Sequence, residues 1–251
     1  MAMEFGIRAW SARAGGLQAE QAWRDWCATP WLPSATAAAA DLALEAMAPM
    51  LRRRVVPLGR VALAPAYECQ AQGGGIPTVF ASRHGDVQRA YDMLSDLAAE
   101  GGVSPTAFGL SVHNAIGALY AIDRKDVACQ QAVAAGRDTV EAGVVEACAL
   151  LADGAPEVLL VHYEAPLPEA YAGFADEPAA LYGWAWRLGR PRAGEPVFSL
   201  APISPAVPAA PASGPAPALP HGLEVLRFML SGEAGLIHHG EQCAWQWRRH
   251  G

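Results

Sequence analysis

The sequence predicts a layered α/β fold, and three observations carry that reading. Thr78–Ser82 and Glu157–Glu164 are short, almost unbroken apolar runs of the kind that form strands covered on both faces. Between and beside them, Asp86–Glu100 and Thr139–Leu151 carry apolar residues at helical spacing, with Val87, Tyr91, Leu94 and Leu97 on one stripe and Val140, Val144, Ala147, Cys148 and Leu151 on the other. A narrow, lightly charged run, 131–136, suits a central strand approached closely by other backbone and ends in a glycine, Gly136, at the bend into the second of those helices. Strands alternating with helices in this way call for helices packed on a mostly covered sheet.

Each element follows in order. Glu4–Trp10 reads as an opening strand ending at the Gly15-Gly16 turn, and Leu17–Cys27 as a short helix. A second helix is expected over Ser34–Leu51, capped by Ser34 and rich in alanine, ending in Arg52-Arg53-Arg54. Those arginines suit a helix C-terminus or the docking of an acidic partner. A helix near Leu58–Cys69 leads to a glycine-rich loop, Gln70–Pro77. Gly73-Gly74-Gly75 lacks the Lys-Ser/Thr of a phosphate loop. Ser104 and Pro105 fit the cap and first position of another helix. Glu169–Glu177 reads as loop and Ala180–Leu188 as a strand. Ala201–Pro220, rich in proline and alanine, reads as an extended loop or linker. His221–Leu230 gives a last helix and Ala244–Arg249 a last strand, within one domain spanning 1–251.

Composition bounds the function. A formal net charge of −7 argues against a nucleic-acid partner. The five cysteines are scattered, odd in number and never in CxxC spacing, which predicts reduced thiols and a cytoplasmic protein. No signal peptide and no membrane insertion are expected.

A strand, a sharp bend and a buried helix are how several enzyme classes present a nucleophile. Here the bend carries Gly136, Arg137, Asp138 and Thr139, with neither Cys nor Ser at its apex. Other reactive residues have ordinary readings. Ser111 and His113, two apart on a helix, point to opposite sides and cannot pair. Cys148 falls on an apolar helix face and Cys129 at the start of its strand. Asp138 and Glu141 suit a helix N-terminus with or without acid–base work. His238-His239 with Cys243 suits a polar turn, because no fourth ligand stands at a metal-site spacing. No cofactor and no metal are expected.

The succession Phe80-Ala81-Ser82-Arg83-His84-Gly85, Ser104-Pro105-Thr106-Ala107-Phe108, Ser111-Val112-His113-Asn114-Ala115, Ala134-Ala135-Gly136, Gly143 and the closing Trp245-Gln246-Trp247-Arg248-Arg249 resembles the short β-ketoacyl-synthase-like proteins of bacterial aryl polyene clusters, the chain-length-factor subunits. The resemblance spans nearly the whole chain. It implies the N-terminal half of a thiolase-like ketosynthase fold, truncated relative to a full ketosynthase. It places Gly136, or Arg137 if no gap is allowed, where ketosynthases carry their nucleophilic cysteine, and so implies no catalytic residue. It implies a heterodimer with a full-length ketosynthase, with acyl carrier protein engaged indirectly. Asn114, Gly117, Val133, Ala134 and Ala135 would then face the partner, and Thr106, Ala107, Phe108, Ser111 and His113 would wall its acyl tunnel. A stabilising scaffold that never meets substrate, or a stand-alone hydrolase using His113, Asp138 or Glu141, are the other readings.

Overall fold

The computed structural model describes residues 2–36, 42–70, 75–203, 218–241 and 243–251. The elements in order are β1 (Met3–Ala14), α1 (Glu20–Ala28), α2 (Pro49–Arg52), α3 (Pro57–Cys69), β2 (Thr78–Ala81), α4 (Val87–Glu100), α5 (Pro105–Ser111), α6 (Ala115–Arg124), β3 (Gln130–Val133), α7 (Thr139–Ala152), β4 (Glu157–Glu164), β5 (Tyr182–Gly189), β6 (Val197–Ile203), α8 (His221–Ser231), β7 (Gly235–His239) and β8 (Ala244–His250). The strands form one mixed sheet in the order β3-β2-β4-β5-β1-β6-β8-β7. β3 and β4 flank β2 in parallel, whereas every pair from β4 to β7 is antiparallel.

The period-two alternation of the strands divides the core into two layers. Val79, Ala81, Val158 and Leu160 face α7, and their neighbours Phe80, Leu159, Val161 and Tyr163 face α3 and α6. The α7 side continues into an aromatic stack, Trp184 on Trp186 at 4.3 Å between centroids, with Trp247 edge-on to Trp186. This is the helix–sheet–helix layering expected from the sequence.

Several boundaries differ from expectation, each for a physical reason. Of the long helix expected over Ser34–Leu51, residues 37–41 lie outside the described residues; the rest is turns and the four-residue α2, and Ser34 sits in a loop where its hydroxyl accepts from Thr36 N. Pro49 fixes the start of that short helix. The segment after Ser104 is two helices, because Val112 takes an extended backbone (φ −72°, ψ 149°) and α6 begins anew at Ala115. The 131–136 run is an edge strand, not a central one, and only 130–133 pair, with β2 on one side. Ala201–Ile203 belong to β6, whereas 204–217 lie outside the described residues. His238-His239 are in strand β7, not a turn. Gly73 and Gly74 lie outside the described residues.

α4 begins with Asp86, whose carboxylate accepts from Arg89 N, and ends at Gly101 in the left-handed region. Its apolar stripe does not pack as expected: Tyr91, Leu94 and Leu97 are exposed, and no described side chain of α4 or α5 is buried.

Gly183 of β5 lies directly beneath α3, where a Cβ would strike the backbone carbonyl of Val61. Because backbone cannot rotate out of the way, Gly183→Ala is expected to cost about 1–3 kcal/mol. Gly102→Ala, which meets open space, is expected to stay within about 0.5 kcal/mol. Urea titrations of the two variants check the contrast.

Candidate functional site

β3 delivers the chain to the bend at the end where β2, β3 and β4 all finish, the edge at which open α/β sheets hold their ligands. Gly136 has φ +56°, a left-handed backbone that costs other residues free energy. A 3₁₀ turn, Gly136–Asp138, then leads into α7. Thr139 pins this elbow: its Oγ1 accepts from Ala135 N at 3.0 Å and donates to the Gly136 carbonyl at 2.7 Å. The elbow has the geometry of a nucleophile turn and no side chain at its apex. A Cβ at 136 would meet the carboxylate of Glu241, which accepts from Arg137 N at 3.2 Å. The two nearby thiols lie away from the bend. Cys129 precedes β3, and burial holds the Cys148 thiol up at about 11.

Beneath the elbow lies a polar cluster. Glu141, on the first turn of α7, is fully buried, and its Oε1 accepts from His221 Nε2 at 2.7 Å and from Trp247 Nε1 at 2.8 Å. Burial opposes the charge on Glu141, but the His221 imidazolium and these two hydrogen bonds outweigh it and hold the carboxyl below its ordinary range. Burial likewise opposes the charge on His221, and Glu141 reverses it, raising His221 to about 9. The His221 ring stacks on His238, 3.6 Å between centroids and 18° from parallel. His238 Nε2 donates to the Arg137 carbonyl at 3.0 Å and lies 3.4 Å from Asp138 Oδ1, while Asp138 Oδ2 accepts from Glu241 N at 3.2 Å. The β7–β8 hairpin thus closes over the elbow.

Among the described residues, Glu141, His221 and His238 form the group whose donor atoms lie near enough to share a cation. Their geometry does not suit one. Stacked imidazoles keep their lone pairs in parallel planes, and Oε1 already receives two N–H donors. His238, His239 and Cys243, read from sequence as a polar turn, are split by strand alternation, which turns His238 inward and His239 outward.

The structure scatters the other candidates. Phe108 is 59% exposed and Thr106 is exposed, with Ala107 half-buried, all on α5. Ser111 donates to the Phe108 carbonyl at 2.9 Å, and His113, in the break between helices, lies against Gly85 with Nε2 3.5 Å from the Val133 carbonyl. Asn114 and Ala134 are exposed, and Val133 and Ala135 are half-buried. Gly117 is buried inside the chain against Phe80 and Gln130, so its place is internal packing. The sequence reading missed His221, Trp247 and Glu241. They lie 80, 106 and over 100 residues from the groups they bind, and no local pattern links them.

Residues 23–248 match the family described as beta-ketoacyl synthase, N-terminal domain, and the chain belongs to that family. Its fold is similar to a chain of the ketosynthase (ApeO) in complex with its chain length factor (ApeC) from Xenorhabdus doucetiae, at TM-score 0.82 and 28% identity over 98% of this chain and 99% of that one. The ishigamide ketosynthase/chain length factor shares the fold at TM-score 0.63 and 16% identity, covering 80% of this chain and 67% of that one. A beta-ketoacyl synthase from Burkholderia phymatum does so at 0.58 and 11%, covering 92% and 69%. A comparison with curated proteins gives no match.

Glu141→Ala is expected to cost about 3–5 kcal/mol, since it leaves His221 buried without its counter-charge. The pH profile should be a dome. His162, buried beside Tyr182, is held down to about 3 by burial and by the charge of His221, so the unfolded chain takes up the proton first and stability falls as pH drops from about 6.5 towards 3. His221 binds its proton more tightly when folded, so its contribution is complete below about 6.5 and lost as pH rises through about 9. Denaturant midpoints from pH 4 to 10 would show the dome, and His162→Asn should flatten its acid limb.

Proposed function

We propose that the protein is a non-catalytic chain-length-factor subunit that pairs with a full-length ketosynthase and shapes that enzyme's acyl tunnel. The observation that carries the reading is the pairing of an elbow without a nucleophile and two amphipathic helices without a buried face. α4 and α5 pack on each other through contacts such as Ser111 Oγ to Met93 Sδ at 3.4 Å, yet leave Tyr91, Leu94, Leu97, Phe108 and Val112 open to solvent. Beside them, β3 keeps one edge free of partners among the described residues. A free strand edge next to an apolar helical face needs a cover, and a partner chain supplies one. The similarity to a ketosynthase–chain length factor complex names the kind of partner. A stand-alone hydrolase is disfavoured because Glu141 is sealed from solvent by His221 and Trp247.

In this reading, the exposed residues of α5 meet the partner's tunnel. Once the heterodimer is purified with its ketosynthase, Phe108→Ala should shift products to longer acyl chains, and Ala107→Phe should shorten them or stop elongation. Unchanged product ladders from intact heterodimers of both variants would favour the pure scaffold. The interface should bury roughly 2,000 Å² or more, as obligate pairs do, so size-exclusion chromatography should show a stable 1:1 complex. Incubated alone with an acyl-thioester, the chain should show no covalent mass increase, whereas an adduct on Cys129 or Cys148 would locate a nucleophile away from the elbow.

A further inference from the structure

We propose that the β7–β8 hairpin is a proton-operated latch on the elbow: a proton taken up by His238, stacked on the charged His221, releases the hairpin turn and Glu241 from Gly136–Asp138. This rests on the geometry of the elbow and needs neither the partner nor the tunnel assignment.

The hairpin reaches the elbow through a small set of polar contacts. His238 holds the Arg137 carbonyl, Glu241 N holds Asp138 Oδ2, and the Glu241 carboxylate takes the Arg137 N–H. Gly240 lies so close to the Asp138 carboxylate that a Cβ would not fit. β7 is the last strand of the sheet and, among the described residues, pairs with β8 alone. An edge hairpin is where local opening occurs at low free energy.

The charges around His238 set the direction of the switch. From α8 it faces the His221 ring, itself paired with Glu141 and 3.7 Å from Glu224 through Nδ1. From α7 it faces Glu141, from the elbow the Arg137 carbonyl and Asp138, and across its own hairpin Trp245. Neutral His238 satisfies the Arg137 carbonyl with one N–H and stacks without repulsion. A second charge 3.6 Å from His221 repels it within a site water cannot screen. Asp138 and Glu141 offset part of this, but burial and the His221 charge prevail, so His238 sheds its proton more readily docked than free. Its docked pKa lies below its free one, so docking is favoured above about pH 6.5 and weakens as pH falls below it.

Hydrogen–deuterium exchange of the intact chain tests this between about pH 7.5 and pH 5, with rates corrected for intrinsic pH dependence. The expected result is that peptides covering 235–250 and 136–141 lose protection together, by up to about tenfold per pH unit, while peptides of β4 and β5, whose own decline follows the His162 acid limb, stay the better protected at every pH. His238→Phe keeps an aromatic ring on His221 and removes the titration, so its hairpin should stay protected throughout. If that variant is already open at neutral pH, His238→Gln, which keeps an N–H donor towards the Arg137 carbonyl, takes its place. Equal acid sensitivity in wild type and both variants would overturn the latch, as would protection in β4 and β5 falling as low as that of the hairpin at the same pH. So would one equivalent of tightly held zinc in the purified wild type that is absent from His238→Phe.

Discussion

The buried carboxylate of Glu141 is the constraint on which the C-terminal third of the molecule depends. A charge on the first turn of α7 with no solvent access must be matched within the protein, because an unpaired buried ion costs several kcal/mol. Two matches come from elements far along the chain, His221 at the start of α8 and Trp247 in β8. Satisfying Glu141 therefore fixes where α8 begins, which face β8 turns inward and, through the His221–His238 stack, how β7 lies. The same Trp247 that donates to Glu141 also packs edge-on against Trp186 and Phe5. Its ring joins the hydrogen-bonded cluster to the apolar core, so neither can shift without the other.

The sheet explains how a chain of this length completes a covered core. β2, β3 and β4 supply the parallel part that presents the elbow, and β5, β1, β6, β8 and β7 extend it as an antiparallel run. β5 and β6, joined by residues 190–196, flank β1 on either side, and β7 and β8 form a tight hairpin at the edge. α3 covers one face across β1, β4 and β5, and α7 the other across β1, β2 and β4. At the β3 end, among the described residues, the outer strand edge has no partner and two helices, α4 and α5, turn apolar residues outward.

The layers of the fold were legible in the sequence because they rest on local periodicity. The apolar runs 78–82 and 157–164 and the helical spacing of 139–151 each state a burial pattern within one segment, and β2, β4 and α7 follow them closely. The elbow was legible too, because a glycine between a small-residue strand and an apolar helix has few other uses. The misplacements arise where tertiary context overrides local preference. Alanine-rich composition over 34–51 favours helix, yet the described part forms turns, with Arg60 reaching the Leu42 carbonyl at 3.1 Å and Asp123 accepting from Ala48 N at 2.9 Å. The α4 stripe read correctly as amphipathic, but a single chain's sequence does not distinguish a stripe that faces its own core from one that faces another molecule. The Glu141 cluster left no trace because its members share no spacing.

The glycine at the apex and the cluster beneath it are physically linked. A reactive elbow needs an open approach, a side chain at the apex and backbone donors free to receive the charge that develops in the reaction. Here the apex has no side chain, the Arg137 N–H is taken by Glu241, and the approach is covered by the turn at Gly240 and Glu241. The elbow's polar groups serve packing, and Gly240 and Glu241 dock against it. The Asp138 carboxylate takes part in the same packing, its two oxygens facing His238 and Glu241 N from the β7–β8 hairpin. The elbow is thereby a structural joint, pinned at Thr139, charged at Glu141 and closed by a strand pair at the edge of the sheet.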